Sequence, residues 1–146
     1  MPSASVVVGC ASGIDAAARA LRPNASVVRA SSYGSGPGAL AARSTAVVRA
    51  VASGGLAALW LAFPASLCPL GLVPSRSSSA CFSGHGSGTW ASLALAVGLG
   101  VPALVFLPSG VPVPAAWPLA PVAGCAGVRG SWVRFRPRVS QQTLAL

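Results

Sequence analysis

Apolar residues in this chain gather into short β-branched or Leu-rich runs, separated by stretches rich in Gly and Ser. The first run, SVVVG at residues 5–9, is short and bounded by turn formers, as a buried strand would be. The turn CASGID follows it. Ser12 and Asp15 stand in the S-x-x-D spacing of a helix start. The helix predicted over 14–21 places Ile14, Ala18 and Leu21 on one face. Arg19 and Arg22 lie near its negative end, and Pro23 stops it.

A strand is predicted over 25–30, then a flexible loop, SSYGSGPG. Over 39–52 the helical period returns, with Leu40, Val47, Val48 and Val51 as the apolar stripe, and Gly54-Gly55 ends it. LAALWLAF at 56–63 reads as a buried strand. Residues 64–83 have little periodicity. FSGHGSGTW then leads into a small-residue helix over 90–99 and a strand over 101–107. Residues 108–130, rich in Pro and Gly, read as irregular. Residues 131–136 read as a final edge strand. The order β-α-β-α-β-α-β predicts an α/β fold: a mainly parallel sheet in a three-layer, Rossmann-like arrangement. Residues 1–108 would form that domain, and 109–146 a Pro/Gly-rich segment with the edge strand and a basic tail.

In such sheets ligands bind beyond the carboxyl ends of the strands. The three Gly-rich loops all fall at or near those ends. Gly86, Ser87, Gly88 and Thr89 could cradle a phosphate, because a helix N-terminus offers unpaired N–H groups and a positive dipole end. A plain turn with a capping hydroxyl is the alternative. Gly9, Ser12 and Gly13 would line the same crevice. Asp15 could bond a ribose or base edge, or serve the helix N-terminus. Arg43, with Ser44 beside it, suits bidentate phosphate contact, or else lies on a solvated helix face. Gly34, Gly36 and Gly38 read G-x-G-x-G, with no acid about 20 residues on, which excludes a standard dinucleotide fingerprint.

Charge changes the picture. The chain has ten basic residues, all Arg, against one acid, Asp15, for a formal net charge of +9. Such a field favours polyanions. Trp132, Arg134, Arg136 and Arg138 alternate, so an extended chain would present an aromatic and three guanidiniums on one face, which suits single-stranded nucleic acid. A basic tail without a partner is the alternative. One acid also removes paired-carboxylate glycosidase chemistry and carboxylate-rich cation cages. A Ser-His-Asp triad would have to use the single His85 with Asp15. Cys10, Cys68, Cys81 and Cys125 form no CxxC pair, and Cys81 with His85 lacks further ligands, so no metal site is expected. Buried free thiols fit a reducing compartment, the cytoplasm. No signal peptide is expected.

The mean hydropathy of +0.71 raises the question of a membrane. Two charge-free gaps could hold spans, near 53–73 and 91–107. Pro64 and Pro69 interrupt the first, and Gly98, Gly100 and Pro102 the second. Neither leaves about 20 smooth residues. A small membrane protein is therefore the lesser alternative.

Three segments resemble the SLOG superfamily of nucleotide-binding domains, which includes the DNA-processing protein A (Smf) family and the LOG phosphoribohydrolases. GCASGIDAAARAL is similar to the Smf turn leading into G-I-D and a small-residue helix. AARSTAVVRAVASGGLAALWLAF is similar to its Arg-bearing helix and buried strand. GSGTWASLALAVGLGVPALVFLP is similar to the shared loop, helix and strand. Together they span residues 6–108. The resemblance implies a Rossmann-like domain shortened at its N-terminus, because the family has an earlier strand and helix. It also implies a phosphate contact for Arg43. LOG enzymes carry a catalytic Glu soon after the G-T pair. Here Trp90, Ala91 and Ser92 follow Thr89, and the chain has no Glu. The expectation is a nucleotide or related phosphate ligand bound without catalysis and without a further cofactor. Single-stranded DNA is the alternative partner, and self-association stays open.

Overall fold

The computed structural model describes residues 4–10, 12–36 and 38–138; the end of the basic tail, 139–146, lies outside them. The chain opens with strand β1 (Val7–Gly9), helix α1 (Ile14–Leu21) and strand β2 (Ser26–Val28). A 3-10 turn at Ala30–Tyr33 leads to helix α2 (Gly38–Ala52). A second such turn, Gly55–Ala57, precedes strand β3 (Trp60–Ala62). A short helix α3 (Ser78–Cys81) precedes helix α4 (Gly88–Gly98). Strands β4 (Ala103–Pro108), β5 (Ala120–Gly127) and β6 (Gly130–Phe135) follow.

Helices and strands mix as an α/β chain should, but they form two sheets. One is a parallel pair, β1 and β2, with Val7 opposite Ser26 and Gly9 opposite Val28. The other has the order β3-β4-β6-β5. Its β3–β4 pair is parallel, with Trp60 opposite Ala103, and its remaining pairs are antiparallel. The antiparallel half arises because Val128 and Arg129 close a tight connection between β5 and β6, and a hairpin can join only antiparallel strands.

Several expectations give way here. Residues 108–130 are not irregular throughout, since β5 lies among them. Its register shifts between Pro121 and Ala126, around Gly124 at φ 73°, a bulge that only Gly tolerates easily. The last strand is interior, flanked by β4 and β5, so the edge falls to β5. The strand expected over 56–63 starts with the 3-10 turn and leaves Leu61 half exposed. The Ser12–Asp15 cap does not form: Gly13 is the N-cap of α1, without a side-chain bond. Ile14 and Leu21, on the expected apolar face of α1, are exposed. On α2, Leu40 is exposed, while Ala39, Arg43 and Val47 line the inner face one turn apart.

The core is built around α4. Residues 90–97 are all buried, as expected of a helix that is apolar or small all round. Val48 of α2 meets the core from one side; Ala103, Val105 and Leu107, alternating along β4, meet it with Val133 of β6 from another. Trp90 and Trp117 pack edge to face, with centroids 5.4 Å apart. Their indole N–H groups donate to Ser66 O and Leu72 O, which pins the long loop after β3 against the core. Gly98 is required at the end of α4, because a Cβ there would collide with the backbone of Ser75. Among the described residues, no helix is long and apolar enough to cross a membrane.

Candidate functional site

The ends of β1 and β3 face each other across a cleft of about 350 Å³. Gly9, Ser12 and Asp15 form one wall, Arg43 and Ser44 of α2 a second, and Gly88 and Thr89 of α4 a third. Three segments far apart in the chain therefore meet at one place. Gly86 and Ser87 line an adjoining hollow of about 290 Å³, which shares Arg43, Ser44 and Gly88. Gly13 lines neither; at φ 74° it makes the turn into α1.

Arg43 is the central group. Its place between Ala39 and Val47 on the inner face of α2 leaves it only 8% exposed. Nη1 donates to Asp15 Oδ2 at 3.4 Å and to Cys10 Sγ at 3.8 Å. Nε is buried without a hydrogen-bond partner among the described residues. A buried donor left unpaired costs about 1–3 kcal/mol, so this guanidinium has unmet capacity for an acceptor. Asp15 is thus tied to Arg43 rather than capping α1. Gly9 makes the pair fit: a Cβ at this position would collide with both the guanidinium and the carboxylate. Arg19 Nη1 donates to Gly9 O at 2.7 Å and holds the end of β1 to α1.

Across the cleft, α4 begins two residues earlier than its apolar run suggests. Ser87 is its N-cap, and its hydroxyl accepts from Trp90 N at 3.3 Å. That occupies the Ser87 hydroxyl in capping. The N–H groups of Gly88 and Thr89 belong to the first turn, which has no intrahelical acceptors. Both residues are exposed and line the cleft. Ser92, one turn later and buried, returns its hydroxyl to Gly88 O at 2.7 Å. Trp60, Phe63 and Val47 supply an apolar side to the cleft. The pattern did not single these out, because in sequence they belong to ordinary core runs.

Cys10, expected to be a buried free thiol, sits at the edge of this site. It is half-buried beside Arg43, and Ala30 N donates to its sulfur at 3.2 Å. That hydrogen bond, helped by Arg43, lowers its pKa against the opposing effect of burial. Burial raises the thiols of Cys68 and Cys81. Cys125 is exposed. Among the described residues, no group of three or more His, Cys, Asp or Glu side chains could hold a metal ion. His85 lies in the loop before α4, with Nε2 2.9 Å from Ser83 Oγ.

The basic face differs from the expectation of an open aromatic. Trp132 and Arg134 lie on one face of β6, opposite Phe106 and Leu104. The Trp132 ring packs edge-on against Phe63 and Phe106, with centroids 5.7 Å and 5.4 Å away. Arg136 and Arg138 follow the end of β6 and are exposed. Comparison with protein-family models, with curated proteins and with solved structures finds no match for this chain.

Proposed function

We propose that the cleft binds a nucleotide or related phosphate ligand without catalysing a reaction on it, in a Rossmann-like domain of SLOG type. The observation that carries the reading is Arg43: a buried guanidinium with an unpartnered Nε, set across a cleft from the first turn of an 11-residue helix. Two sources of positive potential face one space, and an anion would satisfy both. Two parallel β-α-β units, β1-α1-β2 and the unit that joins β3 to β4 through α4, support the Rossmann-like part. The cleft opens beyond the carboxyl ends of β1 and β3, where ligands of open α/β sheets bind. Trp60 and Phe63 give a ring or other apolar moiety a surface to rest on. Asp15 leaves the local charge modest, which suits a small phosphate better than a polyphosphate chain.

Single-stranded DNA is the second reading, favoured by the net charge of +9 and the exposed Arg136 and Arg138. Against it, the Trp132 ring is already engaged by two Phe rings. A thermal-shift panel separates the two, using nucleoside monophosphates, sugar phosphates and short single-stranded DNA at low and high salt. A ligand that binds only the native state raises the melting temperature with concentration. The pocket reading expects monophosphates to do so at both salt levels. A shift from DNA alone, lost at high salt, favours the second reading. No shift from any phosphate ligand removes both.

A further inference from the structure

The four cysteines are free, and they occupy unlike surroundings. Cys81 is fully buried in the core and Cys68 is half-buried within the long loop after β3. Cys125 is exposed on β5. Among the described residues, Cys10 alone of the four has two donors on its sulfur: Ala30 N at 3.2 Å and Arg43 Nη1 at 3.8 Å. Donors directed at sulfur favour the thiolate, the form that attacks electrophiles.

Arg43 is the second, independent observation. It is more than nine-tenths buried, yet its Nε has no acceptor among the described residues. Of its N–H groups, Nη1 meets the Asp15 carboxylate and the Cys10 sulfur. Sulfur is a weak acceptor. An oxygen atom added to that sulfur would be a much stronger one, placed beside a guanidinium with donors to spare.

We propose that Cys10 is a site of reversible oxidation by hydroperoxides, with Arg43 as the group that holds the oxidised sulfur. The thiolate attacks one oxygen of hydrogen peroxide. The S–O bond forms as the O–O bond breaks, and the departing hydroxide takes a proton to become water. Sulfur gives up two electrons and the peroxide gains them, leaving a sulfenic acid whose oxygen accepts from Arg43. A small-molecule thiol reverses the step. It displaces that oxygen as water to give a mixed disulfide, and a second thiol then releases Cys10. An oxygen beside Arg43 also competes with any anion in the cleft; this consequence alone rests on the phosphate-binding reading.

The test uses the full chain at neutral pH, with less than one equivalent of hydrogen peroxide and with dimedone to trap sulfenic acid. Peptide mass spectrometry then reads each cysteine separately. Trapping at Cys10 is expected to exceed that at Cys125, Cys68 and Cys81 several-fold, although Cys125 is the more exposed. Asp15→Asn, which leaves more of the guanidinium to the sulfur, should speed trapping at Cys10 and leave Cys125 unchanged. Arg43→Met should slow Cys10 alone. Trapping that follows exposure, with Cys125 first, overturns the proposal. So does a Cys10 rate indifferent to both Asp15→Asn and Arg43→Met. Sodium phosphate added to the reaction should slow Cys10 if the same guanidinium holds phosphate. Cys10 selectivity with no effect of phosphate keeps this proposal and removes the anion site.

Discussion

Residues 4–36 and residues 60–135 are held together by different forces. In the second region, α4 and the faces of β4 and β6 turned towards it bury Trp90, Leu93, Leu95, Val105 and Val133 almost completely. In the first, α1 has no buried residue, β2 has none, and among the described residues Val8 is the buried apolar side chain. Polar contacts do the work of burial there. Arg19 reaches Gly9 O, Arg22 reaches Ala4 O, Ala30 N reaches Cys10 Sγ, and Asp15 meets Arg43. The cleft lies where the two regions meet. The apolar region thus presents α4 to a lightly packed, polar β-α-β unit, and α2, whose Val48 joins that core, presents Arg43 to it. Such a unit belongs to the low-stability part of a fold, from which ligand-binding elements are commonly drawn.

The comparison breaks most visibly under truncation. Leu93→Ala or Leu95→Ala, each at a fully buried position, should cost about 2–5 kcal/mol in urea unfolding. Leu21→Ala, at a side chain 80% exposed, should stay within about 0.5 kcal/mol. Equal losses would mean that the first region shares the core after all. Next in size is Gly9→Ala, at about 1–3 kcal/mol, because its Cβ displaces the Asp15–Arg43 pair. In the double variant with Arg43→Ala the cost should be less than the sum, since one of the two collisions disappears.

A smaller effect sharpens the electrostatic half of the comparison. Asp15→Asn removes the carboxylate that competes for Arg43, so phosphate affinity measured by calorimetry should rise several-fold. An unchanged affinity would place the anion elsewhere. The smallest effect is in the pH dependence of the thiols. The Cys10 pKa is lowered in the fold. Its contribution to stability is therefore present above the pKa of the unfolded thiol and lost as pH falls through the folded value. Cys68 and Cys81 are raised, so theirs is present below the unfolded pKa and lost as pH rises through the folded one. Iodoacetamide should accordingly alkylate Cys10 with a pH midpoint below that of Cys68 or Cys81. Coincident midpoints would remove the distinction.

The same division governs what the sequence made legible. The end of α1 at Leu21 follows from a local stop signal, Pro23, although its expected apolar face is exposed, and the α4–β4 succession follows from a run of small and apolar residues. Gly9, Ser12, Asp15, Gly88 and Thr89 were legible from the Gly-rich turns beyond predicted strands, and Arg43 and Ser44 from the resemblance, although the strands they follow lie in different sheets. β5 was not legible. APVAGCAG carries a single β-branched residue, and it is a strand because β6 pairs with it. The interior place of β6 was hidden for the same reason. Nor was the burial of Arg43 legible, since an Arg on a helix ordinarily faces water. The better signal was its spacing of four from both Ala39 and Val47. Cys10 escaped notice because its polarising donors, Ala30 N and Arg43, come from distant parts of the chain.

The central claim is that α4 and Arg43 hold an anion between the two regions. Gly88→Asp tests it most directly. A Cβ at Gly88 meets open space, and a carboxylate in the first turn of a helix favours the dipole, so the variant should fold with an unchanged or higher melting temperature. The same carboxylate would occupy and repel the anion site. Calorimetric titration of a nucleoside monophosphate should give binding to the native chain and at least about a tenfold weaker affinity in Gly88→Asp, a difference of about 1.4 kcal/mol. Equal affinity in the two proteins, or no binding to the native chain, would contradict the account.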